Sequence, residues 1–86
     1  MTKSKIELPE LKTAQKLGLD GLFLAFKDSG TYQLAFETKK GRFWFRSRRS
    51  DSVKHFKSLD AVHSICQLFP EWELKVLGEL NLTAYN

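Results

Sequence analysis

Apolar and polar positions alternate along this chain with two different periods, and each change of period marks a new element. Residues 1–8 are polar and charged with no period, which predicts a loose arm. From Pro9 onward, Leu11, Ala14 and Leu17 recur three apart on one helical face, and proline followed by Glu10 suits a helix start. A short helix over 9–17 is expected, ended by Gly18 and Gly21 around Asp20. Gly21 to Lys27 is then an apolar run of strand length, closed by the turn signal Asp28-Ser29-Gly30-Thr31. Tyr32 to Thr38 alternates, with Tyr32, Leu34 and Phe36 on one side and Gln33, Ala35 and Glu37 on the other.

A third strand follows in the run Lys39 to Arg49. Here Phe43 and Phe45 face one way, and Arg42, Trp44, Arg46 and Arg48 face the other. A two-residue turn at Lys40-Gly41 sets Phe36 opposite Phe45 and Ala35 opposite Arg46. For the first hairpin a three-residue loop, Ser29-Gly30-Thr31, pairs Phe26 with Leu34 and Leu24 with Phe36, keeping the large apolar groups together. A two-residue loop, Ser29-Gly30, would pair Ala25 with Leu34 instead. With the longer loop the core face is Leu22, Leu24, Phe26, Tyr32, Leu34, Phe36, Phe43 and Phe45. The opposite face holds Phe23, Ala25, Gln33, Ala35, Trp44, Arg46 and Arg48.

Ser50 to Lys57 is a polar connection with one anchor, Phe56. Ser58 caps a helix over 58–69, with Asp60 in its first turn and Leu59, Val62, Ile65, Cys66 and Phe69 in one apolar stripe. Pro70 stops it. Beyond it, Trp72, Leu74, Val76, Gly78, Leu80, Leu82 and Ala84 occupy every second position, predicting a strand, or two short ones, over 72–84. The expected fold is therefore one α+β domain. It has a short N-terminal helix, a three-stranded antiparallel meander over 21–49, one amphipathic helix packed on the sheet, and a C-terminal strand.

Charge sharpens this picture. The 86 residues carry a formal charge of +4, but positions 39–57 hold eight cations against Asp51, a local +7, and the rest of the chain is at −3. A clustered positive patch is the electrostatic footprint of a partner rich in phosphate or carboxylate. Cys66 is the only cysteine, so an internal disulfide and a thiolate metal cage are excluded, and no metal or other cofactor is expected. No run is long and apolar enough for a membrane helix, and Met1 to Glu7 lacks the core of a signal peptide; a cytoplasmic protein is expected.

For catalysis the chain offers two histidines eight apart, His55 and His63, and a cysteine on an apolar helical stripe, so a non-enzymatic protein is expected. A nuclease built on His55 and neighbouring arginines has no positive support. Nucleic-acid binding has better mechanics, because arginine grips phosphate with a planar fork and an exposed indole can stack on a base. The expected contact set is Lys39, Lys40, Arg42, Trp44, Arg46, Arg48, Arg49, Lys54 and Lys57.

The basic third strand leading into Phe56-Lys57-Ser58-Leu59-Asp60-Ala61-Val62 resembles the three-strand-plus-helix DNA-binding modules of phage integrase arm-binding domains and plant ethylene-response factors. It is also similar to short proteins carried on bacterial plasmids and other mobile elements. The resemblance covers about residues 21 to 69 and rests on strand order and helix entry. It implies that Arg42, Trp44, Arg46 and Arg48 face DNA. Together these readings predict an accessory or regulatory DNA-binding protein of a mobile element. The alternative is an interaction or inhibitor module that docks its basic sheet onto an acidic partner protein. A homodimer joined through the alternating C-terminal segment is a further expectation.

Overall fold

The computed structural model describes residues 5–46 and 52–79. The fold is α+β. Its elements run β1 (Lys5–Ile6), α1 (Leu8–Lys16), β2 (Leu22–Asp28), β3 (Thr31–Thr38), β4 (Gly41–Phe45), β5 (His55–Phe56), α2 (Leu59–Cys66) and β6 (Glu73–Glu79). The strands form one mixed sheet in the order β1-β4-β3-β2-β6, with β5 also paired to β3. The expected antiparallel meander, β2-β3-β4, is its centre. Parallel strands flank the meander: β1 lies beside β4 and β6 beside β2.

Each helix is fixed by local chemistry. Glu10 reaches back to accept a hydrogen bond from the Glu7 backbone N–H at 2.8 Å, closing the first turn of α1. At α2, the Ser58 hydroxyl accepts from the Ala61 N–H at 3.2 Å. α2 ends at Cys66, three residues earlier than its apolar stripe suggests. The chain then continues through turns, with Leu68 N–H bonded to Ile65 and Phe69 N–H to Cys66. Both helices bury their apolar residues on one face of the sheet, so Leu11 and Ala14 of α1 share a core with Val62 and Cys66 of α2.

The arm expected over 1–8 is not loose throughout. Lys5 and Ile6 pair with Trp44 and Phe45, and burying Ile6 against the main core supplies the reason. In the polar connection, Val53 bridges Arg46, and His55–Phe56 pair with Tyr32 and Gln33 of β3 beyond the end of β4. Phe56 is buried, as its anchor role requires. Of the strand expected over 72–84, residues 73–79 form β6, Trp72 lies in the bend before it, and 80–84 lie outside the described residues.

Both hairpin registers differ from expectation, with different consequences. In β3-β4 the turn residues are Lys39 and Lys40, so Phe36 faces Phe43 and Ala35 faces Trp44. That is a slip of two residues, and a slip of two leaves every side chain on its expected face. In β2-β3 the loop has two residues, Ser29 at φ +51° and Gly30 at φ +84°, and Ala25 pairs with Leu34. Positive φ at both positions gives the turn whose twist matches the flanking strands, and this local geometry overrides the grouping of large side chains. The slip of one inverts β2: Phe23 and Ala25 face the helices, while Leu24 and Phe26 face the other way.

Phe23 thereby becomes the centre of the main core, fully buried against Phe36, Phe69 and Trp72 at ring separations of 5.5, 6.0 and 5.8 Å. Trp72 satisfies its indole N–H on the Leu19 carbonyl at 2.8 Å. The chain enters β2 through Gly21, where a Cβ would sit 2.6 Å from the Phe36 ring and 2.9 Å from the Glu37 carbonyl. Only glycine fits that approach without displacement.

Candidate nucleic-acid interface

The sheet face away from the helices carries Leu24 and Phe26 from β2, Ala35 from β3 and Trp44 from β4, with Leu22 and Val53 at its margins. Inversion of β2 puts Leu24 and Phe26 where the expected face has Phe23 and Ala25. Phe26 lies 5.3 Å from Trp44, and Trp44 is only 8% exposed. Trp44 thus points to the expected side but is covered there, contrary to the expectation of an exposed indole.

Arg42 lies over this aromatic pair. Its guanidinium carbon is 5.1 Å from the Phe26 ring centre and 5.9 Å from that of Trp44. Its Nε donates to a Glu37 carboxylate oxygen at 2.7 Å. The aromatic rings and the carboxylate hold the guanidinium over the pair, while its terminal nitrogens make no hydrogen bond to the described residues. Arg46, on the same face, is half-buried and forms an ion pair with Glu7. The same N-terminal turn that starts α1 therefore positions a cation of the opposite face.

The remaining expected contact residues are distributed more widely. Lys39 and Lys40 are exposed at the tip of the β3-β4 hairpin, bordering a groove of about 420 Å³ floored by Ile6 and Phe43 on the helix side. Lys54 is exposed, with its ammonium 5.4 Å from the Phe56 ring centre, and Lys57 is exposed just before α2. Arg48 and Arg49 lie outside the described residues. The structure sets Arg42, Trp44 and Arg46 on one face of the sheet, with Lys39 and Lys40 at the hairpin tip by the helix-side groove, Lys54 over Phe56, and Lys57 just before α2.

Sequence reasoning overlooked Glu37, Glu7 and Phe26, which position the arginines. A signal for the first was available, since Glu37 and Arg42 flank a hairpin turn and meet across the strands. Gln33, on the same face, is 9% exposed; its Nε2 donates to Asp28 at 3.5 Å and its carbonyl oxygen lacks a hydrogen-bond partner. Among the groups considered for catalysis, His55 shares a 3.1 Å contact with the Thr31 hydroxyl and His63 is exposed on α2. Burial pushes the Cys66 thiol up to about 12, which leaves it protonated and poorly nucleophilic at neutral pH. No cluster of metal-ligating side chains occurs among the described residues, and none of their helices is long and apolar enough to cross a membrane. No family model, curated protein or solved structure matches the chain.

Proposed function

We propose that this chain is a non-enzymatic nucleic-acid-binding protein, with DNA the favoured target, that contacts phosphates through the Arg42 face and the surrounding lysines. The observation that carries this reading is Arg42, held over Phe26 and Trp44 and by Glu37, with its terminal N–H groups making no hydrogen bond to the described residues. A guanidinium already desolvated on one side and oriented by a carboxylate loses little freedom when it forks onto a phosphate. Trp44 acts from beneath, as the platform for Arg42, rather than as a base-stacking surface. Cytoplasmic accessory or regulatory work for a mobile element is the biological setting that the strand order and helix entry suggest.

A second reading, docking onto an acidic protein, draws on the same residue, since Arg42 already accommodates one carboxylate from Glu37. Retardation of unrelated duplexes across a salt series separates the two. Nucleic-acid binding requires affinity to fall steeply with salt, as bound phosphates release counterions. Arg42→Gln should weaken binding and flatten that slope by about one counterion. Failure to retard DNA or RNA even at low salt removes the nucleic-acid reading and leaves the acidic-protein one.

A further inference from the structure

We infer that two copies of this chain pair antiparallel along the outer margin of β6, in a register centred on Leu74. Among the described residues β6 is the last strand of the sheet, hydrogen-bonded to β2 on its inner side. Its outer backbone groups are a template for another strand. This margin carries apolar as well as charged side chains: Val76 is 48% and Leu77 38% exposed, one on each face. Glu73 and Lys75 are exposed beside them and enter no ion pair among the described residues.

A two-fold axis through an antiparallel pair sets one residue opposite its own copy, so the possible registers are few. Centring on Glu73 or Lys75 opposes like charges, which is unfavourable directly across a ladder. Centring on Val76 or Leu77 runs the ladder through positions 77–79, where β6 slips by one residue against β2. Such an irregularity ends regular pairing. Centring on Leu74 avoids both faults. It sets Glu73 opposite the second copy's Lys75 twice, brings Val76 beside the bend at the second copy's Trp72, and stops short of the slip. The contact covers much less than the roughly 800 Å² per partner of a stable complex, so association is weak.

Sedimentation of the full chain at low salt, over a concentration series reaching the millimolar range, tests this independently of any nucleic acid. The expected result is a monomer–dimer equilibrium. Lys75→Glu and Glu73→Lys should each weaken it about tenfold, since both turn two attractive pairs into repulsive ones. Mixing these two variants should restore association, because one chain's two carboxylates then face the other chain's two ammonium groups. Thermal melts of both variants, which alter exposed positions, serve as the folding control. A monomer at every concentration overturns the inference. So does a dimer indifferent to both substitutions, or one that mixing fails to restore.

Discussion

The two faces of the sheet bury aromatic residues by different means. On one, Phe23, Leu34 and Phe36 lie under two helices and the Phe69–Trp72 segment, and several side chains there are fully closed off. On the other, Leu24, Phe26 and Trp44 reach 6–8% exposure in a cluster that includes no helical residue among the described residues, with Arg42 across the aromatic pair. A second layer of secondary structure excludes water by volume. Over Phe26 and Trp44 a guanidinium shields part of the ring surface while keeping its charge. The second face is therefore core and cationic surface at once.

Substitutions that thin each face should separate the two means. Phe23→Ala, at the centre of three aromatic contacts, should cost about 3 to 5 kcal/mol in chemical denaturation. Trp44→Ala should cost about 3 kcal/mol, the low end of that range, because its shallow cluster can partly collapse. A loss under about 0.5 kcal/mol, usual for surface positions, would mean that this face is not a core at all.

The helix-covered face alone should respond to alkaline pH through Cys66. Its thiol is raised from 9.0 to about 12 by burial, so the folded state favours the protonated form. The stabilisation is complete below pH 9 and is lost as pH rises towards 12. Denaturation at stepped pH should show that loss, and Cys66→Ala should abolish this part of the pH dependence. Arg42→Ala should cost only about 1 kcal/mol, through lost stacking and packing. Smallest of all, Ser29→Asn should stabilise by about 0.5 kcal/mol, because asparagine tolerates the left-handed backbone that Ser29 adopts.

How much of this could be read from the chain depended on the range of the forces involved. The Ser58 cap, the start of α1 near Pro9 and the alternation in β3 and β4 are local, and each was legible. The face of β2 was not, because its alternation is hidden in a continuous apolar run and a difference of one loop residue decides it. That single residue also decides the candidate site: it moves Phe26 beneath Arg42 and so closes the surface on which Trp44 would have been open. β1 and β5, two residues each, leave no periodic trace, and their pairing is set by the core they complete. Arg42 and Arg46 were legible as cations, but their carboxylate partners required the strand register and the turn before α1.

The parallel strands at the two margins carry a kinetic consequence. β2, β3 and β4 are joined by tight turns and can zip from local encounters on the microsecond scale of hairpin formation. β1 must instead find β4 from the far end of the chain, Lys5 beside Trp44, and β6 must find β2 across both the meander and α2, Leu22 beside Glu73. Closing those long loops costs entropy before any contact rewards it. The meander therefore assembles first and the margins dock last, so the outer edge of β2 stays an unprotected template until β6 arrives. During that interval the nascent chain is most open to pairing with the wrong strand, and the rate at which α2 delivers β6 sets how long the hazard lasts.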